Sequence, residues 1–335
     1  MLSRKNVGRA RVGVSKVIFI NDRNCVALQV KDYYQEKGLV TDNLYDAKVL
    51  LTWSDIPTTE NTQVELANSL DAKVIMIAHG RNCSTNYDEN YQDIITGQTT
   101  YPMLADKFLV WGQKDKDRLS KYGDKVKVVG CPLLLYPMPL KQEPKAIVFI
   151  THHDHSRADA RKVNEDIHEI LLNKYGKSKF IYKHEDTLKA VPKYTMIVSP
   201  QMDNEAIVEE IKGLSYGIIR IDSCERDAWV KAMSLLIRAK VVISPTGGSF
   251  EGLAMAMDVP VIRVKSDFGY RNADGSDYID DTKGVEHATI ETLIDTIEHV
   301  DECENREARE EVAIQEMGLG LDTHKLIIEE IDKCL

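Results

Sequence analysis

The chain has 335 residues, 43% apolar and 29% charged, a globular composition that excludes a disordered, collagen-like or coiled-coil protein. With 43 basic and 53 acidic residues the net charge is −10, which argues against nucleic acid as a partner, because displacing counterions from a duplex takes clustered Lys and Arg. A chain of this length exceeds the size at which a single core stops growing, so two domains of roughly 150 residues are expected.

Cys25, Cys83, Cys131, Cys224, Cys303 and Cys334 form no C-x-x-C pair, which fits reduced thiols in a cytoplasmic enzyme better than a disulfide framework. After the basic start Met-Leu-Ser-Arg-Lys the first apolar stretch ends at Ile20, and no later run approaches the roughly 18 residues of a membrane span. No transmembrane segment or signal sequence is therefore expected, and peripheral membrane contact stays open.

Short β-rich apolar runs alternate with longer amphipathic stretches, the pattern of βαβ units and parallel sheets. Strands are expected over 16–21, 47–52, 73–78, 107–111 and 125–129. Four prolines at 132, 137, 139 and 144 then mark an interdomain linker over 131–144, since proline removes a donor and disfavours helix before it. The pattern restarts with strands over 146–151, 179–182, 196–199, 217–221, 241–244 and 259–264. From Ile290 onward the apolar positions Leu293, Ile294, Ile297, Ile327, Ile328 and Ile331 recur at helical spacing, so the tail is expected to be helical.

Ligands of open α/β sheets bind outside the carboxyl ends of strands, where helix N-termini offer N–H groups to anions. The most informative strand end is Ser244-Pro-Thr246-Gly247-Gly248-Ser249-Phe-Glu251. The glycines permit close backbone approach, the hydroxyls of Ser244, Thr246 and Ser249 suit a diphosphate, and Glu251 in the first helical turn suits a ribose diol. The same residues also read as a plain capped strand-to-helix turn. At 73–81 a strand runs directly into His79-Gly80, placing an imidazole where a general base would act; Asp88 and Glu89 follow as acids or as solvated groups. Lys183 and His184 end another expected strand and suit phosphate charge. Thr151-His-His153-Asp-His155 offers a phosphate or base contact from Thr151 or His153. Three histidines so close in sequence cannot all reach one ion, so no metal site is expected.

Taken in order, His79-Gly80, Ala-Asp-Lys-Phe-Leu-Val-Trp-Gly at 105–112, Val-Val-Gly-Cys-Pro at 128–132, Tyr-Lys-His at 182–184 and the run from Leu235 to Pro260 resemble the GT-B superfamily. The nearest resemblance is to nucleotide-sugar glycosyltransferases related to the non-hydrolysing UDP-N-acetylglucosamine 2-epimerases, and to the CDP-glycerol glycerophosphotransferases. It spans about residues 73 to 265, more than half of the chain.

The resemblance implies an α/β fold of GT-B architecture, two Rossmann-like domains with parallel sheets facing a central cleft. Residues 1–140 would form the acceptor-side domain, 141–315 the nucleotide-sugar domain, and 316–335 a C-terminal helix packing back on the first. It further implies transfer of a sugar from a nucleotide donor, expected to be a UDP-sugar, to the hydroxyl of a glycan or small-molecule acceptor in surface polysaccharide or glycan synthesis. No metal or other cofactor is expected. His79 would serve as base or acceptor-site residue, Asp88 or Glu89 would match a second epimerase acid, Lys183 and His184 would contact the donor diphosphate, the turn from Thr246 to Ser249 would be the phosphate cradle, and Glu251 the ribose ligand. Two departures stand out: Lys183 and His184 are adjacent where the phosphotransferases insert a proline, and Arg81 stands where the epimerases carry an acid. An epimerase-like activity, a CDP-glycerol-type phosphotransferase and a nucleotide-sugar binder without turnover remain the alternatives.

Overall fold

The computed structural model describes residues 16–19, 25–52, 59–78, 105–135, 146–149, 158–175, 195–198, 236, 239–244, 249–264, 283–300 and 305–335. In the first half β1 (Lys16–Phe19) leads to α1 (Cys25–Glu36), β2 (Ala47–Thr52), α2 (Thr59–Ser69), β3 (Lys73–Ile77), β4 (Lys107–Val110), α3 (Gln113–Arg118) and β5 (Val126–Val128). The strands pair in parallel in the order β1-β2-β3-β4-β5. A parallel bridge between Val17 and Val40 occupies the other side of β1, so the chain visits one flank of β1 before crossing to β2 on the opposite flank. β2 buries every residue except Lys48. Crossover helices cover both faces of such a sheet, and its strands therefore need near-continuous apolar runs.

The second half contains β6 (Ala146–Phe149), α4 (Ala158–Tyr175), β7 (Thr195–Val198), β8 (Ala239–Ser244), α5 (Ser249–Ala256), β9 (Val261–Val264), β10 (Val285–Ala288), α6 (Leu293–Glu298), α7 (Arg306–Met317) and α8 (Thr323–Asp332). Its sheet has the order β10-β9-β8-β6-β7. Successive residues alternate between two cores: Val148 and Val242 join one cluster, while Ile147, Phe149, Val241 and Ile243 join the other with Ile167, Leu293 and Ile297. This is the period-two alternation of strands covered on both faces.

The expected α/β architecture with two mostly parallel sheets is thus observed, with three departures. β7 lies antiparallel to β6, an arrangement common for an edge strand on an otherwise parallel sheet. β10 lies outside the expected strands, because Val-Glu-His-Ala has only two apolar residues, Val285 and Ala288, both buried at the opposite edge. The first residues of the expected linker also belong to the folded core. Cys131, Pro132 and Leu133 are buried, a short 3-10 turn runs over Pro132–Leu135, and the Cys131 amide donates to the Met317 carbonyl at 2.8 Å. Proline there ends β5's turn inside the core instead of opening a solvated tether. The expected strands over 179–182 and 217–221 fall outside the described residues.

The C-terminal helices return to the first sheet. Tyr34 on α1 donates its hydroxyl to Asp332 at 2.7 Å, and Lys107 at the start of β4 pairs with Glu330. Asp322 caps α8 by accepting from the Lys325 amide at 3.2 Å. Upstream, α7 is held on both sides: Arg309 and Arg306 reach Asp258 at 2.9 and 3.2 Å, and Lys114 of α3 reaches Glu316 at 2.6 Å. Gly318 ends α7 in the left-handed conformation (φ 65°). A Cβ there would lie 2.5 Å from the Trp111 carbonyl oxygen and 2.6 Å from the Gly130 Cα, so no larger residue fits at the crossing. Val312 and Met317 of α7 share one apolar cluster with Trp111 of the first half and Leu253 of the second.

Candidate functional site

The second sheet supplies a topological switch point. From β6 the chain goes outward to β7 on one side and returns to β8 on the other, and in open sheets the crevice beyond the carboxyl ends of two such strands is where ligands bind. β8 ends there at Ser244, which is buried, and α5 begins five residues later at Ser249. The intervening residues, including Thr246, Gly247 and Gly248, lie outside the described residues, as does Thr151 two residues beyond the end of β6. The apolar run Val-Val-Ile makes β8 a central buried strand, which ends at Ser244 beside the switch point.

Glu251 sits in the first turn of α5 with no exposed surface. Its Oε1 accepts a hydrogen bond from Nη2 of Arg263 at 2.6 Å. Arg263 is the third residue of β9, 7% exposed and in register with Ser244. The carboxylate expected on a ribose therefore faces the protein interior. Sequence reasoning missed Arg263, although the signal was present: a guanidinium inside Val-Ile-Arg-Val is costly to bury without a carboxylate partner.

In the first sheet, β3 delivers its carboxyl end to Ala78. The Ala78 amide donates to the Leu109 carbonyl, and its own carbonyl accepts from the buried Trp111 indole, both at 2.9 Å. His79 follows directly in sequence. His79, Glu89, Lys183 and His184 lie outside the described residues, as do Asp88 and residues 152–155. Among the expected site residues, the structure brings Ser244, Glu251 and the start of α5 at Ser249 to one sheet end.

No family model and no curated sequence matches this chain. Among solved structures the chain is similar to UGT89C1 of Arabidopsis thaliana complexed with UDP, at 12% identity and a TM-score of 0.49, covering 96% of this chain and 93% of that one. It is also similar to a glycotransferase of kitacinnamycin, at 13% identity and a TM-score of 0.46 over 93% and 80% of the two chains. The similarity to TarM has 13% identity and a TM-score of 0.38; it covers 92% of this chain, which spans 57% of TarM. No described helix is long and apolar enough to cross a membrane.

Proposed function

We propose that this chain is a glycosyltransferase that moves a sugar from a nucleotide-activated donor, expected to be a UDP-sugar, to an acceptor hydroxyl. The observation that carries the proposal is the position of Ser244 at the carboxyl end of β8, beside the β6/β8 switch point, with α5 starting at Ser249 after the sequence Pro-Thr-Gly-Gly. Backbone N–H groups there, with the positive end of the α5 dipole, suit a diphosphate.

In the proposed reaction the acceptor oxygen attacks the anomeric carbon, the bond from that carbon to the donor diphosphate breaks, and the nucleoside diphosphate leaves with the electron pair. The acceptor proton goes to His79, and Glu89 stands by as a second acid. Charge grows on the leaving diphosphate, where Thr151, Lys183, His184 and the turn from Ser244 to Ser249 supply donors and counter-charge without a metal ion. Fixed donors aimed at developing charge lower the barrier most when water is excluded. The site is read as a cytoplasmic one, and the acceptor as a glycan or small molecule in polysaccharide synthesis.

A thermal-shift panel of nucleoside mono- and diphosphates with UDP-sugars tests this reading. A ligand at 100 times its Kd stabilises by about 2.7 kcal/mol. Stabilisation by UDP that is lost in Gly247→Val, together with slow UDP release from a UDP-sugar, is the expected result. No shift with any nucleotide would reduce the turn to a capped helix start.

A further inference from the structure

The structure assigns Glu251 and Arg263 as a positioning pair that holds the first turn of α5 over the sheet; the inference rests on the donor-site reading above. One partner belongs to the helix and the other to β9, and Arg263 lies beside Ser244 in the strand register. The pair therefore ties α5 to β9, the strand next to β8. At 2.6 Å, with side-chain exposures of 0% for Glu251 and 8% for Arg263, it is a buried ion pair. Ile262 and Val264, which flank Arg263, and Leu253 and Ala254, in the next turn of α5, are buried and apolar.

Such a pair is weak evidence for stability, because desolvating both charges offsets most of their attraction and well-packed apolar residues often do as well. What the pair supplies is geometry. A guanidinium fork on a rigid strand admits few arrangements of a carboxylate against it. Fixing Glu251 fixes the height and rotation of the helix turn that carries it. The N–H groups at the start of α5 are then aimed before any ligand arrives, which is the condition under which they stabilise an anion without reorganising. Neither side chain needs to touch the nucleotide, and Glu251 has no surface with which to accept from a ribose.

The positioning role and direct ribose contact make opposite predictions for UDP and 2′-deoxy-UDP. Binding of both is measured by calorimetry to wild type, Glu251→Gln, Arg263→Met and the charge-free Glu251→Met/Arg263→Met variant, each checked for folding by circular dichroism. The expected result is that each single change weakens UDP by about tenfold or more, as displaced positioning groups do. The same factor should apply to 2′-deoxy-UDP, so the ratio between the two ligands stays at its wild-type value. The double variant should be no weaker than Arg263→Met, because the two residues act as one unit. It also removes both buried charges together, so it decides the matter if a single variant does not fold. A ratio that collapses in Glu251→Gln but persists in Arg263→Met would make Glu251 a ribose ligand and overturn the inference. Unchanged UDP binding in folded variants would overturn it too, leaving the pair a purely structural contact. Failure of wild type to bind any nucleoside diphosphate would instead sink the donor-site reading on which the pair depends.

Discussion

The indole of Trp111, at the end of β4, donates its Nε1 hydrogen to the carbonyl of Ala78, the residue that precedes His79. Both residues are buried, so the bond is shielded from water and pins the carboxyl end of β3 from the neighbouring strand. Trp111→Phe keeps an aromatic ring and removes the donor. It should cost about 1–3 kcal/mol, the scale of a buried acceptor losing its partner, measured by urea unfolding. If His79 is the base, the same variant should lower kcat for UDP-sugar turnover more than it raises KM, since the peptide entering His79 is no longer held.

Gly112 tests how closely α7 lies against the first sheet. Its backbone angles (φ −127°, ψ 169°) suit any residue, so an added methyl group is resisted by contact alone. That Cβ would stand 2.1 Å from the Gln315 carbonyl oxygen and 2.5 Å from the Glu316 Cα. Backbone atoms cannot swing aside as a flexible side chain does, so Gly112→Ala should destabilise by at least about 1–3 kcal/mol, the usual range for overpacking. A denaturation midpoint equal to that of wild type would show that α7 does not hold this position in solution.

Glu330 makes the docking of α8 dependent on pH. Burial alone would raise its carboxyl pKa, but hydrogen bonds and charges from Lys107 and Lys333 outweigh burial and hold it below its ordinary value. A carboxyl depressed in the folded state contributes stability above its unfolded pKa and loses that contribution as pH falls through the folded one. The stability difference between wild type and Glu330→Gln should therefore be full at pH 7 and shrink between about pH 5 and pH 3. Paired urea titrations at the two ends of that window check the sign.

Cys131 should behave as an inert core thiol. Burial pushes its pKa up to about 12, against a smaller opposing effect of backbone hydrogen bonds from Leu133 and Leu134. Thiolate is the reactive form, so native protein at pH 8 should leave Cys131 unmodified by iodoacetamide, while protein in urea is alkylated there. Peptide mass spectrometry distinguishes the two. Rapid native labelling would mean that the Pro132–Leu135 turn opens readily.

The sequence by itself determined the elements whose signal is local. Apolar-rich runs at 47–52, 73–77, 107–110 and 241–244 are strands because a sheet covered on both faces demands them, and Gly247 and Gly248, between Ser244 and α5, carry a turn signal in the sequence itself. The helical tail was legible for the same reason, in the spacing of Ile327, Ile328 and Ile331. Tertiary structure alone decided what depends on distant partners. β10 exists because β9 offers an edge to a segment with two apolar residues, β7 runs antiparallel because an edge strand is held from one side only, and Cys131 is core because α7 returns to accept its amide at Met317. Glu251 shows the limit most clearly. Its place at the start of α5 follows from the sequence, but its buried pairing with Arg263, twelve residues away on a neighbouring strand, appears only in the folded chain.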